Sequence, residues 1–232
     1  MSLLIVLLVS IIPAFVAAKV SKAYSDRKPS EHAICIVQAL GSGVMLATVA
    51  MELLPHFAQQ GEWGGWIAFA IGVTVMIGIK LAMPLVQKRE TQTAFLTAYF
   101  IEFSMNGILI GLSSVIGLKT LVLIGLSMCF CATTCALSVV SRLIKHKYSK
   151  PQTTRWLRLI LCCLPAGAVL AHIWAVAYVS ALPVLVAFGA GALLYLAVIE
   201  LLLEAFENGQ KLSITSTFFA GFWIILFFQV LL

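Results

Sequence analysis

Charge is what this sequence has least of. Only 10% of its 232 residues are Asp, Glu, Lys or Arg, 62% are hydrophobic, and the mean hydropathy is +1.06. A soluble domain is about 25% charged and about 45–50% apolar, so this shortage excludes an ordinary water-soluble fold. The chain also lacks a long linker, a low-complexity tract or a polar stretch large enough for a soluble domain. Its six cysteines (Cys35, Cys129, Cys131, Cys135, Cys162 and Cys163) all fall in apolar runs, which excludes the disulfide framework of a small secreted protein. The net charge of +6 is scattered between apolar runs, so it is read for membrane orientation rather than as a nucleic-acid patch.

What is there is a series of runs long enough to cross a bilayer as helices, each needing about 20 residues. Eight spans are expected, at 2–18, 33–57, 64–86, 94–117, 120–141, 157–180, 181–206 and 213–232. No Asp, Glu, Lys or Arg occurs from Leu159 to Ile199. As one helix that stretch would be about 60 Å long, roughly two membrane thicknesses. It is divided near Ser180–Pro183 because a residue preceding proline tends to leave the helical region. The first run has no side-chain positive charge ahead of it, and Lys19 and Lys22 follow it, so a retained helix rather than a signal peptide is expected. Thirteen Lys and Arg residues fall in the odd-to-even connections: Lys19, Lys22, Arg27, Lys28, Lys88, Arg89, Arg142, Lys145, Lys147, Lys150, Arg155, Arg158 and Lys211. Only Lys119 falls on the other side, with Lys80 inside a span. The asymmetry predicts a multi-pass protein of the cell membrane with both termini extracytoplasmic. The longest cytoplasmic loop, 144–156, is basic and is expected to lie along an anionic leaflet.

Against this background the polar residues inside spans are costly, and an ionisable one is a candidate functional residue. Glu102 and Asn106 lie one turn apart in the fourth span, and their oxygens suit hard divalent cations or protons. The plainer reading is a buried salt bridge, with Lys80 as a candidate partner. The fifth span carries Ser127, Cys131, Thr134, Cys135 and Ser138 on one face. Cys131 and Cys135 could bind a soft or borderline metal as thiolates, although small side chains for close helix packing are the preferred reading. His172 is the one histidine deep in a span, equally suited to a ligand or to a packing hydrogen bond. The second span ends "VAMELLPHFA" (49–58) and the seventh holds "LAVIELLLEAF" (196–206). Each places a metal-capable residue four positions after a Glu: Glu52 with His56, and Glu200 with Glu204. The two spans run in opposite directions. An inverted repeat of spans 1–3 and 6–8 around a central pair would produce this, and inverted repeats mark transporters with a midplane site.

These segments resemble the ZIP family of divalent-metal transporters. "GVMLATVAMELLPHF" (43–57) resembles the family's second helix, "GALLYLAVIELLLEAF" (191–206) its seventh, and "NGILIGLS" (106–113) its fourth just after the ligand pair. The sequence departs from the family pattern where the metal ligands lie. The family's fourth helix reads His-(Asn/Ser)-x-x-(Asp/Glu)-Gly, whereas here Glu102 stands for the His and Asn106 for the acid. The fifth helix carries His-Glu-x-Pro, whereas here the region is "MCFCATTCALS" (128–138).

The resemblance implies an all-α integral membrane protein with eight transmembrane helices in a 3+2+3 arrangement with inverted repeat. It also implies transport of a divalent metal (zinc, iron or manganese) into the cytoplasm by alternating access, in a homodimer. No permanently bound cofactor, no nucleic-acid partner and no enzymatic activity are expected. The candidate metal residues are Glu102, Asn106, Glu200, Glu204, Glu52, His56, Cys131, Cys135 and His172. One alternative is a related membrane protein that has lost transport and binds or scaffolds. A remote one is an intramembrane serine protease, because "IGLSS" (110–114) with His172 is similar to a rhomboid-type dyad.

Overall fold

A computed structural model describes residues 3–27, 31–58, 63–87, 92–145, 147–208 and 211–231. Among the described residues every element is helical and no strand occurs. In hydrocarbon each backbone N–H and C=O must be satisfied within its own segment, which leaves the helix as the only form for these runs. Eight helical rods are long and apolar enough to cross a membrane. Large apolar side chains such as Leu4, Ile67, Leu81, Leu170, Trp223 and Val230 are exposed on the outside of the bundle, as a lipid-facing surface requires. Inside it, hydroxyls bond back to their own helix, Ser104 to the Phe100 carbonyl at 2.7 Å and Thr133 to the Cys129 carbonyl at 2.6 Å.

Spans 1, 3, 4, 5, 6 and 8 are Leu3–Arg27, Trp63–Gln87, Gln92–Ile116, Leu118–Lys145, Lys150–Ala177 and Lys211–Leu231. Spans 2 and 7 are each interrupted by a stretch of π-helix. Span 2 is Glu31–Thr48, then the wide turn Val49–Leu53, then Leu54–Ala58. Span 7 is Leu182–Tyr195, then the wide turn Leu196–Leu202, then Leu203–Asn208. The Leu54 N–H reaches back five residues to the Val49 carbonyl, and the Leu203 N–H to that of Val198. The expected division between spans 6 and 7 falls at the 3₁₀ turn Val179–Ala181, with Pro183 in the first turn of the helix that follows.

The long basic loop expected at 144–156 is corrected. Helix runs through Lys145 and resumes at Lys150, because both ends are capped. Lys147 takes the left-handed conformation (φ 59°) while the Lys147 and Tyr148 N–H groups return to the Ile144 and Leu143 carbonyls, a Schellman close. On the far side the Ser149 N–H is accepted by the Gln152 side chain at 3.1 Å, and Pro151 supplies a preset φ for the first turn.

The principal packing pairs are spans 4 with 6, 2 with 8, 3 with 7 and 1 with 5; spans 2 with 5, 1 with 6, 4 with 5 and 2 with 7 also touch. Between helices in lipid there is little hydrophobic preference for protein over solvent, so association rests on close approach. Glycine permits it here. A Cβ on Gly43 would lie 2.0 Å from the Phe218 carbonyl oxygen, and one on Gly191 2.2 Å from that of Phe69. Two glycines one turn apart in span 4 behave the same way, Gly107 against the Leu164 carbonyl and Gly111 against that of Ala168.

Candidate metal centre

Spans 4 and 5 form a hairpin whose link is the single residue Gly117, between helices ending at Ile116 and beginning at Leu118. In such a hairpin a step of four down one helix is matched by a step of four up the other. Glu102 therefore faces Cys135, and Asn106 faces Cys131. The Cys135 thiol donates to Glu102 Oε1 at 2.6 Å, and the Asn106 Nδ2 amide donates to Cys131 Sγ at 3.4 Å. The two sulfurs are 3.9 Å apart. One ligand atom each from Glu102, Cys131 and Cys135 lies within 4.8 Å of the others, the one such group of three among the described residues. Both cysteines and Asn106 are buried. Asn106 Oδ1 has no hydrogen-bond partner, and an orphaned buried acceptor costs about 1–3 kcal/mol.

The donor set fits a borderline divalent metal. Zinc–thiolate bonds of about 2.3 Å in a tetrahedron separate the two sulfurs by about 3.8 Å, close to the 3.9 Å observed. A cation there would meet two sulfurs and a carboxylate, with the open amide oxygen of Asn106 alongside and its Nδ2 donating to one of the sulfurs, an outer hydrogen bond that orients a ligand. The oxygen pair and the thiol pair, which the sequence presents as separate possibilities, share one cluster.

A line of polar contacts along span 5 leads away from this cluster. The Ser127 hydroxyl, one turn from Cys131, contacts that of Thr48 in span 2. Near the start of span 5, Thr120 donates to Glu52 Oε2 at 2.8 Å. Thr120, Ser127, Cys131 and Cys135 thus meet polar groups of spans 2 and 4 over 15 residue steps, about 22 Å of helix. Glu52 occupies the wide turn of span 2. His56 lies half-buried on the short helix beyond it and joins no ligand group among the described residues. Glu200 falls within the wide turn of span 7, but its side chain lies outside the described residues. Glu204 is exposed and accepts from Gln38 Nε2 at 3.3 Å. Lys80, the candidate partner for Glu102, is an exposed residue of span 3.

His172 stands apart from the cluster. Its Nδ1 is 2.6 Å from the Ser114 hydroxyl, which also lies 2.5 Å from the Gly111 carbonyl. Ser113, the other serine of the "IGLSS" segment, donates to the Ile110 carbonyl. The Ser114–His172 contact ties span 4 to span 6 beside the Gly111 crossing, where a buried polar pair has few other partners. Thr48, Thr120, Ser42 and Gln38 escape a reading of the sequence, because single hydroxyls and amides are common helix-packing residues. The register of Cys131 and Cys135 opposite Asn106 and Glu102 follows from the one-residue link at Gly117, which expected spans ending at 117 and beginning at 120 do not contain.

No protein-family model matches the chain, and no curated protein matches it in sequence.

Proposed function

We propose that this protein carries a divalent transition-metal ion, zinc first and iron or manganese less readily, through the bilayer at the site formed by Glu102, Asn106, Cys131 and Cys135. The observation that carries the reading is the cluster itself. Three ligand atoms converge within 4.8 Å from two spans, next to a buried amide oxygen without a partner. A carboxylate within a membrane span is costly, so one retained there marks a candidate functional site.

The helix packing supports a 3+2+3 inverted repeat. Exchanging span 1 with 6, 2 with 7, 3 with 8 and 4 with 5 turns each principal pair into another: 2 with 8 becomes 7 with 3, and 4 with 6 becomes 5 with 1. The correspondence extends to residues. Gly43 sits on the Phe218 carbonyl as Gly191 sits on that of Phe69, and Gly221 on that of Leu40 as Gly72 on that of Phe188. Such repeats underlie alternating access around a fixed midplane site. The resemblance to ZIP transporters supports uptake into the cytoplasm and a homodimer, and the Lys/Arg asymmetry supports both termini outside. In this reading the line from Glu52 through Thr48 and Ser127 is the approach from outside, and the chain is not an enzyme.

The test is metal uptake by proteoliposomes holding the purified protein. Zinc flux above empty liposomes is expected, lost in Glu102→Gln and in the double variant Cys131→Ser, Cys135→Ser while both variants keep their melting temperatures. No flux from a well-folded protein that still binds zinc would leave a binding or scaffold role instead. Flux that survives the cysteine changes would restrict the site to oxygens, with greater tolerance for manganese and iron.

A further inference from the structure

We infer that a groove on span 6 holds an anionic phospholipid, its phosphate between Arg155 and Arg158 and its acyl chains on the helix face below. The groove is shallow and open, about 530 Å³ in volume, and is lined by Pro151, Thr154, Arg155, Arg158, Leu159 and Cys162. These positions recur at three and four residues, so they form one stripe along the first three turns of the helix. All six side chains are exposed, while the opposite face (Leu157, Ile160, Leu161 and Leu164) is buried against the bundle.

Depth selects the ligand. Arg158 is the last charged residue before the chain enters its uncharged stretch, which runs from Leu159 to Ile199. The guanidinium groups of Arg155 and Arg158 therefore sit where the hydrocarbon ends, which is the level of lipid phosphate. No acidic residue lines the groove, so the two positive charges are left for an anion. Guanidinium binds phosphate oxygens through paired, charge-assisted hydrogen bonds. Below the arginines the stripe turns apolar and stays exposed, with Leu159 at 47%, Leu170 at 69% and Ile173 at 57% accessible. A free phosphate would use only the upper part of this surface, whereas a diacyl lipid uses all of it. The occupant is thus a lipid of the leaflet that meets the basic loops, independent of what the protein transports.

The experiment is native mass spectrometry of the intact, purified protein released from detergent micelles doped with phosphatidylglycerol or phosphatidylcholine. One or two retained phosphatidylglycerol molecules are expected, preferred over phosphatidylcholine. Arg155→Gln with Arg158→Gln should lower that retention by about thirtyfold, the expected size for losing two interfacial cations. Arg155→Lys with Arg158→Lys should keep most of it. Lys19→Gln with Lys22→Gln, on span 1, should change nothing. Melting temperatures measured without added lipid establish that each variant is folded. The inference is overturned by unchanged retention in the arginine variant, by an equal loss in the Lys19 and Lys22 control, by full competition from glycerol phosphate without acyl chains, or by a variant that loses a second copy of the chain rather than lipid.

Discussion

Spans 2 and 7 are built alike and used differently. Each carries two glycines two apart (Gly41 and Gly43; Gly189 and Gly191), and each reaches a Glu nine residues after the second, followed by two leucines. Each passes through a wide turn around that Glu, and each crosses its neighbour on the second glycine. The surroundings of the two wide turns differ. That of span 2 faces span 5, where Thr120 holds Glu52 and Ser127 meets Thr48. That of span 7 is held back onto span 2, where Ser42 donates to the Ala197 carbonyl at 2.7 Å and Gln38 to Glu204. One motif therefore supplies a wide turn in a helix, and its neighbours decide which partners the polar groups around it meet. In the transport reading, these wide turns are where the two repeats exchange partners between the two facing states.

The comparison can be broken outright by topology. Single cysteines at Gln60 and Gln210, each in the connection that follows one of the two spans, should react with an impermeant thiol reagent from opposite sides of the membrane in a background without other cysteines. Labelling from one side would end the inverted relationship. The next largest effect is on stability. Gly43→Ala and Gly191→Ala should each cost about 1–3 kcal/mol, because the added carbon meets a carbonyl that cannot withdraw. Gly64→Ala, where nothing lies within 4 Å, should stay within about 0.5 kcal/mol. Chemical or thermal unfolding measures all three, and a cost confined to one of the two crossing glycines would show that the crossings are not equivalent.

Flux sharpens the comparison further. Glu52→Ala should raise the half-saturation concentration for zinc by about tenfold, as for one lost binding interaction of about 1.4 kcal/mol. In the transport reading Glu200→Ala should mainly lower maximal flux, because span 7 would then carry the inward route. Equal and small effects in both would make the two acids structural. The smallest expected difference is between two serines. Ser42→Ala leaves the Ala197 carbonyl without its donor and should cost about 1 kcal/mol. Ser127→Ala should cost less than half of that. The Thr48 and Ser127 hydroxyls have contacts to Val44, to Leu123 and to each other but only two protons between them, so one of the three contacts is not a full hydrogen bond even in the intact protein.

Much of this architecture was legible in the chain. Hydropathy marked eight spans, Pro183 marked the break between the sixth and seventh, and the cost of a carboxylate in hydrocarbon singled out Glu102. The loop expected at 144–156 failed for a local reason. Basic residues suggested a surface segment, but Ser149, Gln152 and Pro151 form a helix start whose signal was outweighed by charge. The cysteines read as packing residues because a buried thiol resembles a small apolar side chain; that Cys135 meets Glu102 and Cys131 meets Asn106 is a property of the fold.

What the sequence determined by itself is the relation of each segment to its solvent: which runs enter lipid, how long they are, and which polar groups pay for being there. Those are properties of a residue and its immediate neighbours in the chain. Only the tertiary structure decided who meets whom. It joined Cys135 to Glu102 and Cys131 to Asn106, widened the backbone turn at Glu52 and Glu200, and brought the Ser42 hydroxyl to the Ala197 carbonyl. The physical reason is that lipid is as apolar as leucine, so hydrophobicity cannot choose between neighbours inside a membrane. The choice falls to backbone approach at a few glycines and to hydrogen bonds between residues far apart in the chain.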